Sequence, residues 1–143
     1  MDYKCMKHAV CVIIPSFTDK YFAVSRRGDD TQWGFPGGKV DLGESHCEAI
    51  VREVKEEIGV QFEKDSFVPI FSAKCKGKKD GVNYWVTTYV STVPVDELTF
   101  KTQMEEGLAG RFLTVEELTS DESSPFALYN VGAFTALAAF SGN

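Results

Sequence analysis

The chain has 143 residues, 43% of them hydrophobic and five of them proline, which is single-domain size with enough apolar material for a core and excludes a disordered polymer. A chain of this length buries roughly 68–70% of its unfolded surface on folding, so stability requires neither a disulfide nor a structural metal. Fifteen basic against twenty-one acidic residues leave a net charge of −6, which disfavours non-specific binding to polynucleotide backbones and to anionic membrane surfaces.

Cys5, Cys11, Cys47 and Cys75 form no CxxC pair, and with only His8 and His46 no zinc-type ligand set assembles at the usual spacings. Reduced thiols are expected. MDYKCMKHAV at the N-terminus lacks a secretory apolar stretch, and Tyr129, Asn130 and Thr135 interrupt the apolar run from Pro125 to Phe140. A soluble, cytoplasmic protein follows as the expectation.

In chain order, His8 to Ile14 is a β-branched apolar run stopped by Pro15, and Tyr21 to Ser25 is a second short strand. Arg26 to Asp30 reads as a polar loop, and the glycines and proline of residues 33–38 read as a tight turn. Glu44 to Ile58 is the strongest helix. Phe67 to Lys76 and Val82 to Val93 are strands around a Lys79-Asp80-Gly81 turn. Residues 111–115 form a short strand before a helical turn at 116–118, and a last helix is expected from Ser124-Pro125 to about Phe140. With no repeat or linker, strands and helices interleave in one α/β or α+β layered domain spanning residues 1–143.

The central helix writes its own boundaries. Ser45 followed by Glu48 is a capping-box pattern, and Gly59 suits a left-handed stop. Cys47, Val51, Val54 and Ile58 share one stripe at 100° per residue, whereas Glu53, Glu56 and Glu57 gather on the other flank, facing away from the core. Like charges at these spacings each cost an isolated helix about 0.2–0.5 kcal/mol, and Arg52 and Lys55 offset part of that. A solvated helix face accounts for such a charge run by itself.

The loop before the helix adds a second use for those acids. Gly37 and Gly38 permit backbone conformations that expose carbonyls, and a hard cation such as Mg²⁺ takes oxygen ligands, retains waters and shares substrate phosphates. Carboxylates one turn apart plus a glycine carbonyl supply that chemistry. The alternating Asp/Asn ligands of a calcium loop are absent between Gly38 and Glu44.

Residues 38–60, GKVDLGESHCEAIVREVKEEIGV, set Gly38, five residues, Glu44, seven residues, Arg52-Glu53, Val54, Lys55, Glu56-Glu57, Ile58, Gly59 and Val60. The stretch agrees at every fixed position with the Nudix box, and the chain resembles the Nudix hydrolases. The resemblance implies a mixed β-sheet sandwiched between helices, with the box as a loop–helix–loop. It implies Glu53, Glu56 and Glu57 as ligands of Mg²⁺, with Mn²⁺ as substitute, and the Gly38 carbonyl as a further ligand. Arg52 and Glu44 would hold the helix and orient its carboxylates. Glu53 is the first choice of general base and Glu56 the second, although the family also draws its base from loops outside the box. Glu106 is the downstream ligand candidate, with Glu105 equally suited.

Arg26 or Arg27 suits terminal phosphates, and a solvated hairpin end is the alternative. The run Phe35-Pro36-Gly37-Gly38-Lys39 resembles MutT-type enzymes, which makes Lys39 a substrate-binding candidate. Trp33, Phe35, Tyr84 and Trp85 offer stacking surfaces or core packing, and Asn83 a base-edge contact or a turn. The implied activity is cleavage of a phosphoanhydride in a small nucleotide, with a nucleoside triphosphate going to monophosphate and pyrophosphate. Alternatives are ADP-ribose or a dinucleoside polyphosphate as substrate, or a nucleotide-binding module without turnover. No polynucleotide or membrane partner is expected, and the chain would act as a monomer or homodimer.

Overall fold

The computed structural model describes residues 6–26, 29–76, 81–104 and 110–141. Arg27, Glu105, Glu106 and the Lys79-Asp80 part of the expected turn lie outside the described residues. Strand β1 (Lys7–Ile13) runs parallel to β6 (Asn83–Ser91), from Lys7 opposite Tyr84 to Ile13 opposite Val90. Strands β4 (Gly37–Lys39) and β5 (Phe67–Lys76) flank this pair antiparallel, giving the order β4-β1-β6-β5. A second, antiparallel sheet has the order β3-β2-β7, from β3 (Asp29–Gly34), β2 (Tyr21–Arg26) and β7 (Gly110–Leu113).

Helix α1 (His46–Ile58) covers one face. Its buried Ala49, Ile50, Val54 and Ile58 pack with Val10, Val12, Ile14, Phe22 and Val24. Helix α4 (Ala127–Ser141) covers the other face, where Ala133 and Phe134 meet Ile13, Ala23, Trp33, Phe35 and Leu113. The period of two along β1 and β2 sends alternate side chains into opposite cores. The result is the expected layered α/β architecture, a mixed sheet system between helices. Cys11, Cys47 and Cys75 are not in disulfides, and among the described residues no helix is long and apolar enough to cross a membrane.

The structure differs from the sequence-based expectation in several places. Asp29–Gly34 is a strand despite its polar start, because tertiary pairing with β2, through Val24 opposite Gly34 and Ser25 opposite Trp33, supplies its ladder. The Gly-Gly segment is a three-residue edge strand rather than a turn, paired to β1. A helix α2 (Glu97–Gln103), capped by the Asp96 carboxylate on the Thr99 amide, was not anticipated, nor was the 3-10 turn Lys64–Ser66. The short helix α3 (Val115–Leu118) begins at Thr114, whose hydroxyl caps Glu117. Helix α4 starts three residues after Ser124: the Trp33 amide donates to Ser123 O at 2.6 Å and draws that turn onto β3. Ser124 Oγ still accepts from the Phe126 amide at 3.2 Å.

Helix α1 starts at His46 rather than Glu44. Ser45 Oγ accepts from the Glu48 amide at 3.1 Å, and Glu48 Oε1 accepts from the Ser45 amide at 2.9 Å, closing the capping box. Gly59 ends the helix at φ 75°. The His46 ring, 3.1 Å from the Tyr89 hydroxyl through Nδ1, anchors the first turn to β6. Replacing Ser45 by alanine leaves an orphan amide at this end and is expected to lower stability by about 1 kcal/mol. Urea unfolding, with the midpoint shifted and the slope unchanged, checks it.

Candidate active site

The candidate site forms where α1 crosses the free edge of β4. Val12 N donates to Pro36 O and Val40 N to His8 O, each at 3.0 Å, and Gly38 stands opposite Val10. Antiparallel alternation therefore turns the backbone polar groups of Gly38 toward β1 and those of Gly37 and Lys39 toward the outer edge. The helix takes up both outward groups. Glu57 Oε1 accepts from the Gly37 amide at 3.2 Å, and Arg52 Nη2 donates to the Lys39 carbonyl at 3.1 Å.

Gly38 serves a different purpose on this face. A Cβ built on it would stand 2.5 Å from Glu53 Cδ and 2.6–2.8 Å from the carboxylate oxygens. The absent side chain is the space that Glu53 occupies. Glu53 is accordingly half-buried, with 18% of its side chain exposed, and does not face solvent as the helical-wheel argument implied. Glu56, at 59%, does.

Arg52 gathers the acids. Its Nε and Nη2 hold both oxygens of Glu44 at 2.8 and 3.0 Å, a bidentate pair. Its Nη1 lies 2.8 Å from Glu53 Oε1 and 3.4 Å from Glu56 Oε2, and Nη2 is 3.4 Å from Asp41 Oδ2. The hydrogen bonds from Arg52, joined by the Asp41 amide at 3.0 Å, hold the Glu44 carboxyl down at about 2. Reciprocally, Glu44 and then Glu53 push the Arg52 guanidinium further up.

Thus Glu44, Arg52, Glu53 and Glu56 meet in one charged network, and Glu57 joins it through β4. Among the described residues no three His, Cys, Asp or Glu side chains converge closely enough to cage a metal ion. Lys39 points its ammonium to 5.6 Å from the Tyr84 ring. Arg26 ends β2, and Glu106 and Arg27 fall outside the described residues. Sequence reasoning missed Asp41, whose only signal is its place in the loop before the cap.

On the opposite face of the sheet, a cleft opens between the central strands and the start of α4, with Gly37 and Gly38 in its wall. Phe35 and Phe126 line it, with Cys11 and Cys75 from β1 and β5 and Tyr129 and Asn130 from α4. The Tyr129 hydroxyl is 2.8 Å from Thr88 Oγ1 and donates to Val86 O at 3.1 Å, and burial raises its pKa. Its polar end is engaged within the protein. Of the aromatic candidates, Trp33 is buried beneath the Arg111 guanidinium, 4.2 Å from the ring centroid, and Tyr84 is buried too. Phe35 alone lines the cleft. The α4 contributions were missed, although Tyr129 and Asn130 were already visible as polar interruptions of an apolar run.

Comparison with known proteins gives a NUDIX domain match over residues 6–131. An 8-oxo-dGTP diphosphatase of Haemophilus influenzae is 40% identical over 62 residues, covering 42% of this chain and 46% of that protein. An RNA pyrophosphohydrolase of Nitratiruptor is 48% identical over 40 residues, 28% of this chain and 26% of that protein. The matched stretches thus span less than half the length of these curated relatives. Among solved structures, the Escherichia coli ORF135 protein superposes with a TM-score of 0.68 at 22% identity, over 94% of this chain and 92% of that one. A hydrolase structure from Nitrosomonas europaea gives 0.65 at 23%, over 92% and 89%. At such identities the structural likeness speaks for the fold.

The depressed Glu44 carboxyl has a consequence for stability. Between its ordinary value of 4.5 and about 2, the unfolded chain takes up a proton that the native chain refuses. The contribution of this pair is therefore complete above about pH 4.5 and lost as pH falls toward 2. Glu44→Gln should unfold more easily than wild type at pH 7, and that gap should close as pH drops through this window in parallel urea titrations.

Proposed function

Because the chain belongs to the Nudix family, its domain match running over residues 6–131, we propose that it hydrolyses a phosphoanhydride bond in a nucleotide. A nucleoside triphosphate would yield the monophosphate and pyrophosphate. The observation that carries this reading is the double role of β4: an apolar, base-sized cleft on one face and the carboxylates of α1 on the other, separated only by the glycine backbone. A base held in the cleft leaves its phosphates to cross the edge of a three-residue strand and arrive at Glu53, Glu56 and Glu57. Lys39, exposed at the end of that strand, offers them a positive charge.

Nudix hydrolases generally use divalent metal ions, and the donors here fit Mg²⁺, or Mn²⁺ in its place, in kind. All are oxygens, as a hard cation requires. Two of the carboxylates already share one positive centre, Arg52 Nη1. We assign the ion to Glu53, Glu56 and Glu57. The backbone ligand is the Gly37 carbonyl, at the free edge, in place of that of Gly38, which points toward β1. With few protein ligands converging, water and substrate phosphates would complete the shell. Bound there, the metal would neutralise phosphate charge and lower the pKa of the attacking water.

The protein's own groups do the rest. Glu53, seated against Gly38, accepts the proton of the water, with Glu56 as the second choice. Arg52 and Glu44 keep that carboxylate in place by clamping α1 to the preceding loop and to Lys39 O. Arg26, Arg27 and Glu106 retain their proposed roles toward phosphates and metal. A binding module without turnover accounts less well for three intact carboxylates on an arginine scaffold.

Glu53→Gln is expected to reduce Mg²⁺-dependent turnover about 10²–10⁴-fold while leaving the urea midpoint near wild type. Product analysis on nucleoside triphosphates, ADP-ribose, a dinucleoside polyphosphate and 5′-triphosphorylated RNA, each with a metal-free control, identifies the substrate class. Wild-type rates from the variant at saturating Mg²⁺ would refute the role of Glu53. Gly38→Ala tests the cradle independently: the added methyl displaces the Glu53 carboxylate, so kcat should fall while the fold persists.

A further inference from the structure

Helix α4 lies on the surface, yet none of its 15 residues is charged. Its inner face is fully used: Ala127, Asn130, Ala133 and Phe134 are buried, and Gly132 admits the Phe71 ring of β5 to 2.5 Å from where a Cβ would stand. A helix half-covered in this way ordinarily turns a polar or charged face to water. Here the outer positions are Leu128, Val131, Thr135, Ala138 and Ala139, all exposed, with Leu128 at 88% and Val131 at 49%. Thr135 adds apolar surface to this face, because its hydroxyl donates to the Val131 carbonyl of its own helix at 2.8 Å. Positions 128, 131, 135 and 138 follow the 3-4-3 spacing of a helix seam, and large side chains occupy its first half and small ones its second.

From this pattern we infer that the outer face of α4 docks on the same face of a second copy of the chain, the two helices running antiparallel about a two-fold axis. That pairing seats Leu128 on Ala138 of the second copy and Val131 on Thr135, and symmetry repeats both contacts. Large residues thereby meet small ones, which lets the helices approach closely, and their dipoles oppose. Parallel pairing would set Leu128 on Leu128 and alanine on alanine. Charge favours the same occupant. Each copy carries −6, so self-association needs a contact free of acids, and α4 supplies one. A helix of 15 residues is about 22 Å long, and one such pair buries less than the roughly 800 Å² per partner of a stable complex. The dimer is therefore a weak one, with a dissociation constant on the order of 100 µM. This inference does not depend on the proposed function.

Sedimentation equilibrium of the full chain from about 10 µM to about 1 mM, at low and high salt, tests it. Wild type should pass from monomer to dimer within that range, and more readily in high salt, which screens the like net charges. Leu128→Glu, at a side chain too exposed to disturb the core, should weaken the dimer at least about tenfold by burying an unpaired carboxylate, with the urea midpoint unchanged. Adding Ala138→Lys to it sets lysine against that carboxylate only in the antiparallel arrangement. The double variant should dimerise again, now better in low salt than in high. A chain monomeric throughout overturns the inference, and sedimentation with phosphatidylcholine vesicles would then give the face to a lipid surface. A dimer that Leu128→Glu leaves intact, or one that the double variant fails to restore, overturns it as well.

Discussion

The bidentate pair between Arg52 and Glu44 is the contact on which the site is built. One guanidinium uses Nε and Nη2 on a carboxylate at the start of the box and Nη2 again on the backbone of β4. Its Nη1 faces Glu53 and Glu56 on its own helix. A lysine could not replace it, because a point charge has no fork with which to serve three directions at once. Loop, edge strand and helix are thereby held in one relation, and like-charged carboxylates are kept close without repelling the helix apart.

Packing supplies the second half of that constraint. The buried stripe of α1 fixes the rotation of the helix against β1 and β2, so Glu53 must arrive over β4. It finds room because Gly38 has no side chain. Gly37 is equally constrained, since a Cβ there would strike Val10 O at 2.1 Å. The two glycines thus let a strand act as a thin wall, with a charged network on one side and an apolar cleft on the other. Polar and apolar environments within one backbone's thickness are what a nucleotide, itself half aromatic and half phosphate, requires.

Much of this was legible before any coordinates. The capping box at Ser45, the glycine stop at Gly59 and the apolar stripe are local signals, and α1 follows them to within two residues. Strands β1, β5 and β6, carried by apolar, aromatic and β-branched residues, were equally clear. Strands β3 and β4 were not, because apart from Trp33 they consist of polar residues and glycines whose extended state comes from ladder partners remote in the chain. Helix α2 is short, and its cap at Asp96 is a weak signal without an apolar period to support it.

For this protein, then, the order of residues was enough to settle which side chains lie on α1 and at what spacing, since helical geometry is a property of consecutive residues. It also carried the family resemblance, which lies in that same stretch. Whether a glutamate on that helix faces water or nestles against a glycine depends on which strand passes beneath it. Which glycine presents its backbone outward depends on ladder register, and the Asn130 amide nitrogen turns to the Leu118 carbonyl twelve residues earlier. Those choices are made by contacts between distant segments, and only the folded chain makes them.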